Sequence, residues 1–235
     1  MIYSIFLVGT GGTGSNLIPN LAQFAISEKR IRSITLIDGD EVESKNFRNQ
    51  KFTQREVGMN KARVLARRYS KLDININFVD SYIKDEDTLV NMIKDSVTEG
   101  VLPILIGAVD NNNCRIILDK VFRNDLIPDL IYIDTGNGDI ERDGQTVVGI
   151  KQGNKIIAPP VCDYSPQILE GDREEEMEVQ YSCSAKIVDN PQHLTANVMS
   201  ATTVFLILVN IISYSEVDGT FFAFNAETIN LYKVK

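Results

Sequence analysis

The apolar residues of this chain fall into short continuous runs separated by segments of helical spacing. Ile2 to Val8 is one such run, the pattern of a strand buried on both faces. A glycine-rich turn follows, then a helix predicted to about Ile26. "SITLID" (33–38) predicts the second strand. In "QREVGMNKARVLARRYSKL" (54–72), Val57, Ala62, Val64, Leu65 and Tyr69 stand at helix spacing and predict one long helix. "DININFV" (73–79) alternates and predicts a third strand. "DEDTLVNMIKDSV" (85–97) predicts a helix whose acidic start suits the helix dipole. "VLPILIGAV" (101–109), "NCRIILDKVFRN" (113–124) and "LIYIDTG" (130–136) read as strand, helix and strand. Strand and helix thus alternate as far as residue 135. That predicts an α/β, Rossmann-like fold: a mostly parallel sheet with helices on both faces.

The pattern then changes. In 139–159, two turn signals, Asp143-Gly144 and Gly153-Asn154, lie between apolar strands and predict antiparallel hairpins in the C-terminal third. Residues 159–179, with a dense acidic run at Glu174, Glu175 and Glu176, read as a long surface loop, with 159–183 a mobile crossover segment. Residues 190–214 predict a long helix starting near Pro191, and 220–234 a closing hairpin. No repeat or low-complexity segment interrupts the chain, which reads as a single domain over 1–235.

Composition narrows the class. The chain has 235 residues, 43% hydrophobic and 24% charged, ordinary values for a globular domain. A net charge of −8 argues against a nucleic-acid surface. Cys114, Cys162 and Cys183 are three in number and widely spaced, which fits a reducing compartment, the cytoplasm, better than a disulfide framework. Without a CxxC pair, a four-thiolate structural zinc is not expected. The chain opens directly on a strand, so no signal peptide is read. "VFLILVNII" (204–212) is too short to span a bilayer and reads as a buried helix.

The chemistry begins at Gly9, Gly11, Gly12 and Gly14, a GxGGxG turn between strand and helix. Glycines let the backbone approach a phosphate, and the first helix amides then point at it. Asp38, at the end of the second strand, stands where a nucleotide-binding α/β fold places a carboxylate on the ribose. This pair alone fits an NAD-dependent oxidoreductase. Asp40, Asn46, Arg48 and Lys61, which follow, fit a magnesium triphosphate better: cations spread the phosphate charge and carboxylates hold the metal. Asp110, past an apolar strand at the ligand-binding edge of the sheet, reads as a Mg²⁺ ligand or a helix cap. Asn111 and Arg115 follow it into the same pocket.

"GTGGTGS", "LIDGDEVE" with Asn46 after it, "VGMNKA" and "DNNNCR" together resemble the ThiF/MoeB superfamily, which includes the catalytic domains of ubiquitin-activating enzymes. The resemblance covers about residues 1–140. It implies an ATP-dependent adenylyltransferase that activates the C-terminal carboxylate of a separately encoded small ubiquitin-like or sulfur-carrier protein, and usually works as a homodimer. Carried over, Gly9 to Gly14 cradle the nucleotide, Asp38 binds ribose, Asp40 and Asn46 line the site, Lys61 contacts phosphates, and Asp110 binds Mg²⁺ with Arg115 nearby. The family reads Asn, two residues, Arg, Gln; here the run is Asn46, Phe47, Arg48, Asn49, Gln50, with the arginine one place early. That departure leaves open a non-catalytic nucleotide-binding scaffold. The family's zinc-binding cysteine pairs are absent.

Some members carry a cysteine that takes the activated carrier as a thioester. Cys183 in "QYSCSAK" is the first candidate, Cys162 the second; Cys114 reads as packing. His193, the single histidine, reads as a surface or capping residue.

Overall fold

The computed structural model describes residues 1–138, 142–172 and 193–235. Its centre is a nine-stranded sheet built from β1 (Ile2–Val8), β2 (Ile31–Ile37), β3 (Ile76–Val79), β4 (Val101–Gly107), β5 (Leu130–Asn137), β6 (Asp143–Gln152), β7 (Lys155–Ala158), β8 (Phe221–Asn225) and β9 (Asn230–Lys233). The order is β3-β2-β1-β4-β5-β6-β8-β9, with β7 paired to β6. β1 to β5 run parallel. β6 turns back along β5, and the rest is antiparallel. Among the described residues the helices are α1 (Gly12–Ser27), α2 (Lys61–Tyr69), α3 (Glu86–Ser96), α4 (Asn112–Arg123), α5 (Val161–Tyr164) and α6 (Leu194–Val209), the last continued by a π-turn over Asn210–Tyr214.

The two-residue period of the strands divides the core. Tyr3, Ile5, Leu7, Ile104, Ile106, Ile131 and Ile133 point to one face and pack on α1, α2 and α6. Phe6, Val8, Leu105, Leu130 and Tyr132 point to the other and pack on α3 and α4. Both faces are covered, which is why the strands read as unbroken apolar runs.

The structure departs from the pattern in four places. The helix predicted over 54–72 is confined to Lys61–Tyr69: Asn60 caps it by accepting the Arg63 amide at 2.9 Å, and the preceding residues form a short 3-10 turn (Gln54–Glu56) and a glycine turn. Asp143-Gly144 is not a turn but the start of β6, opposite Asn137. Gly153-Asn154 is the expected turn, with both residues at positive φ. Residues 159–172 are not a loose loop: α5 and a 3-10 turn (Pro166–Glu170) bury Val161, Cys162 and Ile168. The acidic run and the remainder of the proposed crossover segment lie outside the described residues. Finally, the helix through "VFLILVNII" is 21 residues, Leu194–Tyr214, long and apolar enough to cross a membrane by length and composition. Here it is a core helix whose buried face carries Val204, Ile207, Leu208 and Ile211 against the sheet.

Candidate functional site

The strand order reverses between β1 and β4, so the carboxyl ends of β1, β2, β3, β4 and β5 open a crevice at that switch point, where ligands of open α/β sheets bind. The glycine turn lies at its centre. Gly9 has φ +90°, and a side chain there would run into the Ala108 carbonyl. The turn therefore presses on the loop that carries Asp110. A side chain at Gly14 would meet the carbonyl oxygen of Gly9, so helix and strand pack more closely than any other residue allows. Gly11 is the N-cap of α1. No side chain caps it, and the first turn has no acidic residue. The first amides of α1 are left for an external anion. This is the feature of the crevice that fits phosphate.

Beside the turn, Asp38 accepts the amide and hydroxyl of Thr10 on Oδ2 (2.7 and 2.8 Å) and the Asp40 amide on Oδ1 (2.8 Å). Burial pushes its carboxyl above the ordinary range, against the Lys61 charge and the amide bonds. Asp40 is half-exposed and receives the buried Lys61 ammonium at 2.7 Å and the Tyr82 hydroxyl. Desolvation is the largest influence on Asp40 and acts upward, but the Lys61 charge and hydrogen bonds outweigh it and its pKa falls. Asn60 Nδ2 donates to the carbonyls of Asp38 (2.7 Å) and Asp40 (3.1 Å), so the cap of α2 also fixes the carboxylate turn and brings Lys61 under it.

The loop from Asn46 to Lys51 covers α1. Asn46 is buried and accepts the Glu43 amide on Oδ1 at 2.8 Å, which holds the 3-10 turn Ser44–Arg48 together. Asn16 Nδ2 donates to the Asn49 carbonyl at 3.1 Å, and the Lys51 amide to Ser15 Oγ at 3.1 Å. The Gln50 amide lies over Gly11, with a buried, unpartnered Oε1. Arg48 is exposed on this loop and makes no ion pair among the described residues.

Across the switch point, Asn111, not Asp110, caps α4, accepting the Cys114 amide at 2.8 Å. Asp110 is left exposed at the crevice edge. Among the described residues no cluster of three or more His, Cys, Asp or Glu surrounds it; a Mg²⁺ here would take the rest of its shell from nucleotide phosphates and water, its usual habit. Arg115 is committed to the scaffold: Nη2 donates to the Val109 carbonyl at 2.9 Å, and Nε lies 3.5 Å from buried Asp134. Asp134 also accepts the Tyr132 hydroxyl at 2.9 Å, and burial raises its pKa. This pair braces the Asp110 loop from below. The amides of Asn112 and Asn113 donate to the Asp172 carboxylate at 2.9 and 3.0 Å, so the α4 N-terminus already holds an anion supplied by the chain.

Behind the glycine turn, α6 contributes Asn197, fully buried, whose Oδ1 accepts from Asn137 Nδ2 at 2.6 Å and whose Nδ2 abuts Gly12. Burial pushes the Cys162 and Cys114 thiols up to about 12, which disfavours the thiolate at neutral pH. Cys183 lies outside the described residues. His193 is exposed at the N-cap position of α6, and its side chain makes no cap hydrogen bond.

The structure thus brings Gly9 to Gly14, Asp38, Asp40 and Lys61 into one bonded unit, with Asp110 across from it. It turns Asn46, Asn111 and Arg115 into supports. Thr10, Asn60, Tyr82, Asp134, Asn137 and Asn197 were not singled out from the sequence. Of these only Asn60, an asparagine just before a charged helix start, carries a local signal.

Similar folds are found in E. coli MccB solved with AMPCPP and MccA (18% identity, TM-score 0.64, covering 98% of this chain and 62% of that one) and in E. coli MccB with ATP (19%, 0.63, 98% and 62%). PaaA gives 16% identity, TM-score 0.68 and coverage of 99% and 63%. At these identities the likeness is one of fold, and the chain spans about three fifths of the length of these proteins. No curated protein matches the chain in sequence. The ThiF family model matches residues 2–234, nearly the whole length, and with it the glycine turn, the carboxylate turn and Lys61 fall into one family frame: the chain belongs to the ThiF family.

Proposed function

We propose that this chain is an ATP-dependent adenylyltransferase that activates the C-terminal carboxylate of a small ubiquitin-like or sulfur-carrier protein, or of a peptide, supplied by a separate chain. The observation that carries the reading is the uncapped N-terminus of α1 beside the Asp38–Asp40–Lys61 unit. The MccB structures solved with ATP and with MccA support a nucleotide and a second chain as substrates.

In this reading the α1 amides receive phosphate oxygens and the carboxylate turn takes the ribose. Nucleotide phosphates compete with Asp40 for the Lys61 ammonium. Asp110 would hold Mg²⁺, whose charge would screen the phosphates. The substrate carboxylate attacks the α-phosphorus; the new O–P bond forms as the bond to pyrophosphate breaks. No protein nucleophile is needed, and catalysis comes from alignment and charge neutralisation. A second step belongs to the same proposal: the Cys183 thiolate attacks the acyl carbon, a thioester forms and AMP leaves. A two-copy assembly and a cytoplasmic location complete it.

ATP–pyrophosphate exchange tests the reading. Exchange dependent on an added carboxylate substrate is expected, falling by about 10²–10³ in Lys61→Ala, the loss typical of one preorganised charge-stabilising group. Asp110→Asn is expected to weaken exchange while leaving stability within about 0.5 kcal/mol, because the residue is exposed. Exchange at wild-type rate in Lys61→Ala would remove its role. The position of Arg48 favours one alternative, a non-catalytic scaffold, and ATP binding without exchange for any carrier or peptide would select it.

A further inference from the structure

Two carboxylates are suited by type to the start of α4: Asp110, just before it, and Asp172, far along the chain. The amides go to the distant one. Asp172 accepts the Asn112 amide on one oxygen at 2.9 Å and the Asn113 amide on the other at 3.0 Å. Asn111 accepts the Cys114 amide on its side chain and the Arg115 amide on its carbonyl. Each amide from Asn112 to Arg115 therefore has an acceptor. None of these acceptors is Asp110, whose side chain stays exposed at the crevice edge. Asp172 reaches this place on a built support. Ile168 shares a buried cluster with Leu118 and Val121 of α4, and Arg123 of α4 donates to Asp163 at 2.8 Å. Gly171, at φ +74°, lies so near Asn113 that a methyl group there would come within 2.9 Å of Oδ1.

Aspartate is among the side chains that most readily cap a helix. A carboxylate beside free helix amides is drawn to them by hydrogen bonds and by the helix dipole. With the Asn112 and Asn113 amides unoccupied, Asp110 is the carboxylate next to them in sequence. Turned onto those amides it becomes a poorer metal ligand, because the same lone pairs serve both partners. We propose that Asp172 is a positioning residue of this site: it fills the α4 amides and so keeps the Asp110 carboxylate free for Mg²⁺. The inference rests on the metal reading of Asp110 above and adds to it the residue that sustains it. It also accounts for the contrast between the two helix starts that flank the switch point. The start of α1 has no side-chain cap and suits an external anion, whereas the start of α4 is filled by the chain itself, so the cation ligand beside it is not consumed as a cap.

The test is calorimetric titration of the full chain with ATP in Mn²⁺, standing in for Mg²⁺, and with ATP in EDTA. It compares wild type, Asp110→Asn, Asp172→Asn, Asp172→Ala and the Asp110→Asn, Asp172→Asn double variant, each checked by thermal unfolding. The ratio of the two affinities isolates the metal. Wild type should show the largest ratio and Asp110→Asn a much smaller one. Asp172→Asn keeps one acceptor and Asp172→Ala keeps none. They should lower the ratio in that order, Asp172→Ala by about fivefold, the bias that a side-chain cap exerts at a helix start. If Asp172→Ala does not fold, Asp172→Asn carries the comparison. In the double variant the ratio should equal that of Asp110→Asn alone, because Asp172 acts through Asp110. A wild-type ratio in the folded Asp172 variants overturns the inference. So does a further fall in the double variant, the mark of a general loss of structure or of direct contact with the metal. In those cases a small ratio in Asp110→Asn leaves the metal reading standing. A wild-type ratio in Asp110→Asn overturns both.

Discussion

Thr10 donates its backbone N–H and its hydroxyl to the same oxygen of Asp38. The second residue of the glycine turn is thereby tied to the end of β2, and the shape of the glycine turn depends on a carboxylate that sits beside it. Burial raises the Asp38 pKa above its ordinary value. Between the unfolded and the folded pKa the native state binds more protons than the unfolded chain, so stability falls as pH rises through that window. Asp38→Asn should flatten this slope. It should also cost about 1–3 kcal/mol, because one of its donors then faces an amide. Urea denaturation at several pH values between the ordinary carboxylate range and neutrality measures both effects.

Glu28 gives the opposite slope. Hydrogen bonds from Arg30 pull its pKa down to about 2, with smaller help from Ser213. The unfolded chain binds the extra proton first as pH falls, so this contribution is present above the ordinary glutamate range and is lost on the way down towards pH 2. Arg30 also donates to the Ser213 carbonyl at 3.2 Å, so acid should first loosen the contact between the end of α1 and the π-turn after α6. Glu28→Gln should remove this part of the acid limb of a thermal-stability profile.

Gly12 and Gly14 should respond differently to the same substitution. A methyl group at Gly12 would lie 2.5 Å from Nδ2 of Asn197, the end of a side chain, whereas one at Gly14 would meet the backbone oxygen of Gly9. Gly12→Ala should cost about 1–3 kcal/mol, as overpacking does. Part of that should return in the Gly12→Ala, Asn197→Ala double variant, giving a measurable coupling. Gly14→Ala should cost more and gain nothing from Asn197→Ala. Chemical denaturation of the three single and two double variants decides this.

Cys162 should behave as a core residue. It is buried in α5, and its thiol is held up near pH 12 by burial and by the carboxylates around it, Asp119 foremost. Alkylation of the native protein by iodoacetamide at pH 7.5 should leave Cys162 unmodified, and Cys162→Ala should retain ATP–pyrophosphate exchange. Rapid modification of Cys162 in the folded chain would contradict the packing of 159–172.

Local patterns in the sequence carried the fold a long way. Ile2–Val8 and Ile104–Ile106 read as buried strands because both faces of a parallel sheet are covered, and the glycines of 9–14 marked a tight strand-to-helix turn by spacing alone. Where local pattern and tertiary context competed, context won. Val57 fits a helix by spacing, but the Asn60 cap starts the helix only after it and leaves it exposed. Asp110 and Asn111 are adjacent candidates for one cap, and only the geometry separates them. The bonds from Asn60 to the 38–40 turn and from Asn137 to Asn197 join residues far apart in sequence. No periodicity encodes such partners, so the supports of the site were hidden while its charged members were visible.

The contact between Asn197 and Gly12 has a consequence for how the chain can be divided. The nucleotide motifs all lie in the first 115 residues, which invites the view of a detachable nucleotide-binding half. Yet the glycine turn is braced from behind by a helix that begins at Leu194, and that helix also covers the face of the sheet on which α1 lies. Splitting the chain after β5 would strip α1 of its neighbour and expose Leu208 and Ile212 of the other fragment. The two halves are therefore expected to be inherited, exchanged or engineered together, and any redesign of the later segment must preserve Asn197 to keep the earlier one in shape.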